Sequence, residues 1–200
     1  MIQSNFIKSI KTSLYLFIFI FLSSCLSEYD RTVRKEMSLN KNYTDLIFGM
    51  EIGQSQQKFY KDCWELNRKK LVNQGSGNQF VRHVLDSISP IYNPKKSRME
   101  LLFYGIFDDR RILTGMKMRI SYLGWSPWVK ELQKDSLLEE GMNIMDQLFP
   151  GNSFFEINKE INGLPVMVKI DGNRQITAYV YGIRYVEILI EDLNSKFKKQ

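Results

Sequence analysis

The residues best suited to acid–base chemistry are six acids in adjacent pairs and a single histidine. The pairs are Asp108–Asp109, Glu139–Glu140 and Glu191–Asp192, and the histidine is His83. Adjacent side chains point to opposite faces of a strand and diverge by about 100° around a helix, so no pair forms a shared catalytic site by itself. The sequence holds no P-loop, no HExxH and no nucleophile elbow. A hydrolase whose acids meet only in the folded chain stays open as an alternative.

The two cysteines and the histidine do not predict a metal site or a disulfide framework. A zinc site needs several Cys or His ligands at fixed spacing, and Cys25, Cys63 and His83 are far apart in the chain. Cys63 shares a helical face with Phe59 and Leu66, which favours a small residue in the core. These residues therefore predict no metal, no cofactor and no catalytic group.

Cys25 directly follows a short apolar segment with a basic start. Lys8 and Lys11 precede the apolar residues 14–22, and Ser23 and Ser24 stand before the cysteine. An apolar run of about nine residues has the length of a signal-peptide core and is too short to cross a bilayer as a helix. The pattern predicts a secretory signal over residues 1–24.

The end of this segment, Leu22-Ser23-Ser24-Cys25, resembles the lipobox of bacterial lipoproteins. The resemblance implies cleavage before Cys25, a diacylglycerol on its sulfur and an acyl chain such as palmitate on its amine. Two or more chains hold a protein firmly in a bilayer, whereas one holds it marginally. Leu26 follows the cysteine, and in this class the absence of Asp there implies the outer membrane. We expect a cell-envelope protein whose membrane partner is reached through lipid on Cys25; the alternatives are an ordinary signal peptide with an unmodified cysteine and an uncleaved anchor.

The net charge of the chain is mild, and a nucleic-acid partner is not expected for a protein outside the cytoplasm. Removing residues 1–24, which hold two lysines and no acid, lowers the net charge from +6 to +4. The basic residues form only short clusters, such as Arg68-Lys69-Lys70 and Lys95-Lys96. Such clusters are typical of a solvated surface, with anionic lipid headgroups as the alternative partner.

Residues 25–42 are polar and charged, and we expect a lipidated tether there, followed by a domain over residues 43–200. A helical stripe begins after Ser55, a suitable N-cap residue, and includes Phe59. A second stripe is predicted to begin at Ser126-Pro127 and to end at Pro150.

The rest of the domain shows the two-residue period of strands. In "ILTGMKMRISYL" the residues Met116, Met118 and Ile120 share one face, and Lys117 and Arg119 share the other. Later apolar runs alternate in the same way and are separated by Asp171-Gly172, a hairpin signal. The order is a helix and about three strands, then a helix and about four strands. This predicts an α+β fold: an antiparallel sheet with two helices packed on one face, and a possible tandem arrangement of the two units.

A second resemblance rests on "IFGMEIGQSQQKF", which contains Gly49-Met50 before a capped helix. It is similar to the start of the small lipoproteins of the outer-membrane barrel-assembly complex. The tandem order also looks like the β-lactamase-inhibitor-protein fold. These resemblances imply a fold and not a function.

The predicted sheet has a second face that carries tyrosine and basic residues. The members of this candidate partner face are Lys117, Arg119, Lys169, Tyr179 and Tyr181. Each lies opposite an apolar set, and tyrosine and arginine are favoured in interfaces. An ordinary solvated sheet face is the alternative.

From the sequence we expect a lipid-anchored envelope protein that acts as a binding or assembly module, with an envelope protein as its partner. The alternatives are an envelope hydrolase with spatially assembled acids and a surface-exposed lipoprotein that binds a ligand.

Overall fold

The computed structural model describes residues 27–75, 80–85, 98–124, 128–129, 132–161 and 163–198. Cys25 with its signal segment and residues 125–127, where the second helix was predicted to begin, lie outside these ranges. The helices are α1 (Glu28–Ser38), α2 (Gln56–Arg68), α3 (Lys134–Leu148) and α4 (Leu193–Phe197). The strands are β1 (Asn73–Gln74), β2 (Val81–Leu85), β3 (Met99–Phe107), β4 (Leu113–Tyr122), β5 (Phe155–Ile161), β6 (Leu164–Asp171), β7 (Arg174–Tyr181) and β8 (Tyr185–Asp192).

The strands form one antiparallel sheet in the order β1-β2-β3-β4-β8-β7-β6-β5. Two four-stranded meanders meet where β4 pairs with β8, with Met118 opposite Ile188 and Arg119 opposite Glu187. The predicted α+β class is therefore confirmed. The connection from β4 to β5 passes through α3, which crosses the sheet and lets the last strand return to its centre.

One face of the sheet, here called the core face, is covered by α3 and part of α2. Its central strands contribute fully buried residues, among them Met116, Met118, Ile120, Ile176, Ala178 and Ile188. From α3, Leu137, Ile144 and Met145 pack on them, and Phe59 of α2 joins the same cluster. Fully burying one such side chain contributes about 1.5–3 kcal/mol, so this layer supplies much of the folding free energy.

The start of α2 was predicted correctly, whereas the start of α3 was not. Ser55 caps α2 as expected, because its Oγ accepts a hydrogen bond from the backbone N–H of Lys58 at 3.2 Å. The helix predicted from Ser126-Pro127 begins at Lys134 instead. Before it, the N–H of Leu132 donates to the carbonyl of Val129 at 3.0 Å.

Residues 28–43 are part of the folded domain, which corrects the expected tether over residues 25–42. Val33 of α1 is buried against Val166, Val168 and Ile170 of β6. This contact lies on the second face of the sheet, so the helices are not confined to one face as expected. α4 adds Leu193 to the same cluster.

The β6–β7 turn fastens the C-terminal end of α1. The N–H of Gly172 donates to Glu36 at 3.1 Å, and the N–H of Tyr43 donates to the side-chain oxygen of Asn173 at 2.6 Å. Gly172 has φ 54°, and a Cβ on it would lie 2.4 Å from the carbonyl oxygen of Lys41. Only glycine permits this close approach of the N-terminal segment to the hairpin.

Candidate functional site

Four of the five residues predicted for the partner face lie together at the middle of the second face. Lys117 and Arg119 come from β4, and Tyr179 and Tyr181 come from β7. The strand between them, β8, places Glu187 directly opposite both Arg119 and Tyr179. We call Lys117, Arg119, Tyr179, Tyr181 and Glu187 the Glu187 cluster.

Glu187 holds three members of the cluster through its two carboxylate oxygens. Lys117 Nζ lies 2.6 Å from Oε1, and Arg119 Nε lies 2.8 Å from Oε2. The hydroxyl of Tyr179 also donates to Oε1. Glu187 is 2% exposed, while the side chains of Lys117 and Arg119 keep 23% and 22% of their surface in solvent. Charge-assisted hydrogen bonds of this kind fix both the position and the orientation of the donors.

The protonation states in the cluster follow from these contacts. Burial would raise the pKa of Glu187, but the hydrogen bonds from Lys117, Tyr179 and Arg119 outweigh it and hold the pKa below its ordinary value. Burial and then the hydrogen bond to Glu187 raise the pKa of Tyr179. At neutral pH the cluster therefore has two cations and one anion, a net charge of +1, and Tyr179 is an uncharged donor.

Arg119 also lies between two aromatic rings. Its guanidinium carbon is 4.3 Å from the ring centre of Tyr181 and 5.1 Å from that of Phe80. A cation over an aromatic face is attracted by the ring quadrupole. Tyr181 is 41% exposed, so one side of this arrangement faces solvent.

A second ion pair extends the charged surface toward β2. Arg82 Nε lies 2.8 Å from Glu100 Oε2, and the hydroxyl of Ser121 donates to Glu100 Oε1 at 3.1 Å. Ser121 pairs with Glu100 across β3 and β4, so this pair shares the second face with Arg119. The surface from β2 to β7 therefore alternates charged and aromatic groups.

The prediction that Lys169 belongs to this face is wrong. Lys169 pairs with Ile176, whose side chain is on the core face, and it is 1% exposed. Its Nζ lies 2.6 Å from Asp146 of α3. Both faces of β6 are covered, by α1 on one side and α3 on the other. The side chains of this strand are therefore buried on either face, and Lys169 is buried with them.

A cleft of about 800 Å³ adjoins the Glu187 cluster on the second face. Its floor is apolar and includes Val166, Val168 and Leu189, and Tyr179 lies at the border with the cluster. Tyr29 of α1 also lines the cleft, and its hydroxyl donates to Gln175 Oε1 at 2.7 Å. The cleft therefore offers an apolar surface beside oriented polar groups.

The acid pairs do not converge on one site. Asp108 closes the β3–β4 turn by accepting from the N–H of Ile112 at 2.8 Å. Glu140 accepts from the hydroxyl of Tyr122, and Asp192 caps α4 by accepting from the N–H of Asn194 and Ser195. Among the residues that the structure describes, no group of three His, Cys, Asp or Glu side chains is arranged to hold a metal ion.

His83 and Cys63 lie away from the cluster. His83 Nδ1 is 2.7 Å from the carbonyl oxygen of Leu71, and its ring packs edge-on against Phe48. Cys63 is half-buried, and burial, followed by the charge of Asp62, raises the pKa of its thiol to about 11. It lines a separate groove of about 560 Å³ beside Trp64.

Sequence reasoning missed Glu187, the residue that organises the cluster. A signal existed: Glu187 is a lone acid in the apolar segment "YVEILI" and shares its period-two face with no core residue. Its partners could not be named because β4 and β8 are separated by more than 60 residues, 68 between Arg119 and Glu187. Phe80, the second ring on Arg119, was also missed, because it stands just before β2, a strand that does not pair with β4.

No helix in the described part of the chain is long and apolar enough to span a membrane.

We compared the chain with family models, curated proteins and solved structures, and none of them matches it.

Proposed function

We propose that this chain is a lipid-anchored protein of the bacterial cell envelope that binds another envelope protein through the Glu187 cluster. The observation that carries the proposal is Arg119, which is fixed by buried Glu187 and stacked on Tyr181 while one side of the stack stays open to solvent. Arginine and tyrosine are enriched among the residues that dominate binding energies.

The fixed position of Arg119 favours binding because less side-chain entropy is lost when a partner docks. Ordering a flexible side chain at an interface costs about 0.5–1.5 kcal/mol. Arg119 Nε is already bonded to Glu187, and the ring of Tyr181 limits the tilt of the guanidinium. The net positive charge of the cluster favours a partner surface that presents carboxylates or carbonyl oxygens.

The anchor in this proposal rests on Leu22-Ser23-Ser24-Cys25, the segment that resembles a lipobox. Lipid on Cys25 would confine the domain to a membrane surface, where partners are also confined. Confinement raises the effective concentration of a partner without any additional contact.

The proposal is tested by site-specific photo-crosslinking in intact cells. A benzophenone amino acid at Tyr181 is expected to trap a distinct envelope protein, and Arg119→Ala is expected to reduce that product strongly, since truncating a central arginine costs about 2 kcal/mol or more. The same photo-crosslinker at Trp64, which is 61% exposed on α2, is the matched control. Identical products from both positions, or none from Tyr181, would overturn the proposed binding surface.

A second candidate function is binding of a small amphipathic ligand, and the cleft of about 800 Å³ favours it. Binding pockets of this size are mostly apolar with a few fixed polar groups, as here with Val168 and Gln175. A fluorescent fatty-acid probe is expected to bind in the cleft and to change its fluorescence. Leu189→Trp, which places a larger side chain in the cleft, is expected to weaken that binding. Failure of the probe to bind, with the protein folded, would exclude this candidate for acyl ligands.

A further inference from the structure

Helix α1 has two faces of different character. Its inner face, which includes Val33 and Met37, packs on the second face of the sheet, and Glu36 on that side bonds to Gly172. Its outer face presents Arg31, Arg34 and Lys35, which are all exposed. Residues at spacings of three and four lie side by side on a helix, so these three cations form one continuous surface.

The three cations have no ion-pair partner among the described residues. By contrast, Lys58 is bonded to Asp62 and Lys117 to Glu187. The only acid in the second half of α1, Glu36, is turned inward and 6% exposed. Glu28 and Asp30 are also exposed, in the first turn of α1, so the outer face carries three cations against two acids, and the cations lie farther along the helix. We call the surface of Arg31, Arg34 and Lys35 the basic face.

The basic face lies very close to the proposed anchor. Ser27 caps α1, so Cys25 is two residues from the folded domain, a reach of at most about 7 Å. Because the contacts of Glu36 and Tyr43 fix α1 on the sheet, lipid on Cys25 would hold the whole domain against the bilayer. A tether of free chain would have let the domain turn in any direction.

The C-terminal helix ends at the same end of the domain. Lys196 of α4 lines the cleft together with Ser27 and Tyr29, the first residues of the N-terminal segment. The next residue, Phe197, is 44% exposed, and Lys198 follows it. An exposed ring beside cations is suited to the headgroup region of a bilayer.

We infer that the basic face of α1 binds the anionic headgroups of the membrane that carries the anchor, so that the domain is clamped to the bilayer in one orientation. The inference rests on the proposed anchor for the position of the membrane, and on Arg31, Arg34 and Lys35 for the contact. Clusters of basic residues next to a membrane attachment are attracted to anionic lipid.

This orientation has a consequence for the Glu187 cluster. α1 and the cluster lie on the same face of the sheet, so the cluster also faces the bilayer. A helix with its side chains is about 10–12 Å across, so α1 acts as a spacer of that height. A partner of Arg119 would then be a protein segment lying at the membrane surface.

The test uses the chain from residue 25 onward, which contains every described contact of the fold, in a Cys63→Ala background. One myristoyl-length chain is attached chemically to Cys25, because a single chain gives only marginal membrane binding and leaves a second contribution measurable. Partition is measured on vesicles of phosphatidylcholine alone and of equal parts phosphatidylcholine and phosphatidylglycerol. The probe variant is Arg31→Gln/Arg34→Gln/Lys35→Gln.

The unchanged chain is expected to bind the phosphatidylglycerol vesicles more strongly than the phosphatidylcholine vesicles. On the phosphatidylglycerol vesicles, the partition coefficient of the probe variant is expected to be about 100-fold lower, since each basic residue contributes about fivefold. The matched control is Lys61→Gln/Lys69→Gln/Lys70→Gln, which removes the same charge from exposed positions around α2. An equal loss in the control, or no preference for phosphatidylglycerol, would overturn the inference. Because the acyl chain is attached chemically, the result is independent of whether cells lipidate Cys25.

Discussion

Arg119 Nε lies 2.8 Å from Glu187 Oε2, although the two residues are 68 positions apart in the chain. The contact forms because β8 returns to the centre of the sheet and pairs with β4. It joins the two meanders on the second face, while Met118 and Ile188 join them on the core face. A single carboxylate thereby organises a surface to which both halves of the chain contribute.

The first prediction concerns the pH dependence that Glu187 produces. Its pKa is lowered in the folded protein, so its contribution to stability is complete above the ordinary value of 4.5 and is lost as the pH falls through the lowered pKa. Glu187→Gln should lower the free energy of unfolding by about 1–3 kcal/mol at neutral pH, because Lys117 and Arg119 lose a charged acceptor.

Urea unfolding at neutral pH and at several values below 4.5 checks this prediction. The difference between the two proteins should shrink as the pH falls. Glu139→Gln, an exposed change of the same type on α3, should have little effect at any pH. A constant difference across the whole range would show that packing, and not charge, accounts for the effect of Glu187.

The second prediction separates the two faces of the sheet. Met118→Ala should lower the free energy of unfolding by about 2–5 kcal/mol, because Met118 is fully buried beneath α3. Tyr181→Ala removes a larger side chain but an exposed one, and should cost less than about 1 kcal/mol. Thermal unfolding of both variants measures the two losses of stability. A larger loss for Tyr181→Ala than for Met118→Ala would mean that the buried and the exposed face of the sheet have been exchanged.

The third prediction concerns Lys169, whose ammonium reaches Asp146 from a fully buried stem. Lys169→Met keeps the packing volume of the stem and should change stability by less than about 1 kcal/mol, because the Asp146 side chain left behind is 45% exposed and stays hydrated. Lys169→Ala leaves a cavity between β6 and α3 and should cost about 2–4 kcal/mol. Equal losses from both changes would show that the ion pair, and not the stem, stabilises this contact.

The fourth prediction tests how α1 is fastened. Gly172→Ala should release residues 39–45 from the β6–β7 turn, because its Cβ would lie 2.4 Å from the backbone oxygen of Lys41. Gly182→Ala is the matched control: it has a similar positive φ of 66° but nothing within 4 Å of the added Cβ. Limited proteolysis should cut the first variant near residue 40 much faster than the control, and equal rates would indicate backbone strain alone.

The fifth prediction concerns the anchor. Cys25→Ser should abolish incorporation of a fatty-acid analogue and release the protein from membranes, because the lipobox resemblance depends on that sulfur. Metabolic labelling in cells measures it, with Cys63→Ser as the control that should label normally. Label retained on the Cys25→Ser protein would show that Cys25 is not the site of lipidation, and it would not contradict the fold.

The sequence by itself determined the features that depend on local periodicity. Side chains alternate along a strand whatever lies around it, so the burial of Met116 and Met118 and the opposite placement of Lys117 and Arg119 could be predicted from the strand alone. The N-cap at Ser55 is equally local, because its hydroxyl bonds to a backbone group three residues away. These signals were sufficient for the α+β class.

Only the tertiary structure decided where those local elements meet. α1 has few apolar residues and looks like a tether until Val33 is seen against Val168 of β6, more than 100 residues later. Lys169 has the same alternating pattern as Arg119, yet it is buried because β6 is covered on both faces. The alternating pattern shows which residues share a face of a strand. Whether that face is covered depends on segments far away in the chain. For this reason the partners of Glu187 and the position of the basic face of α1 could be found only from the tertiary structure.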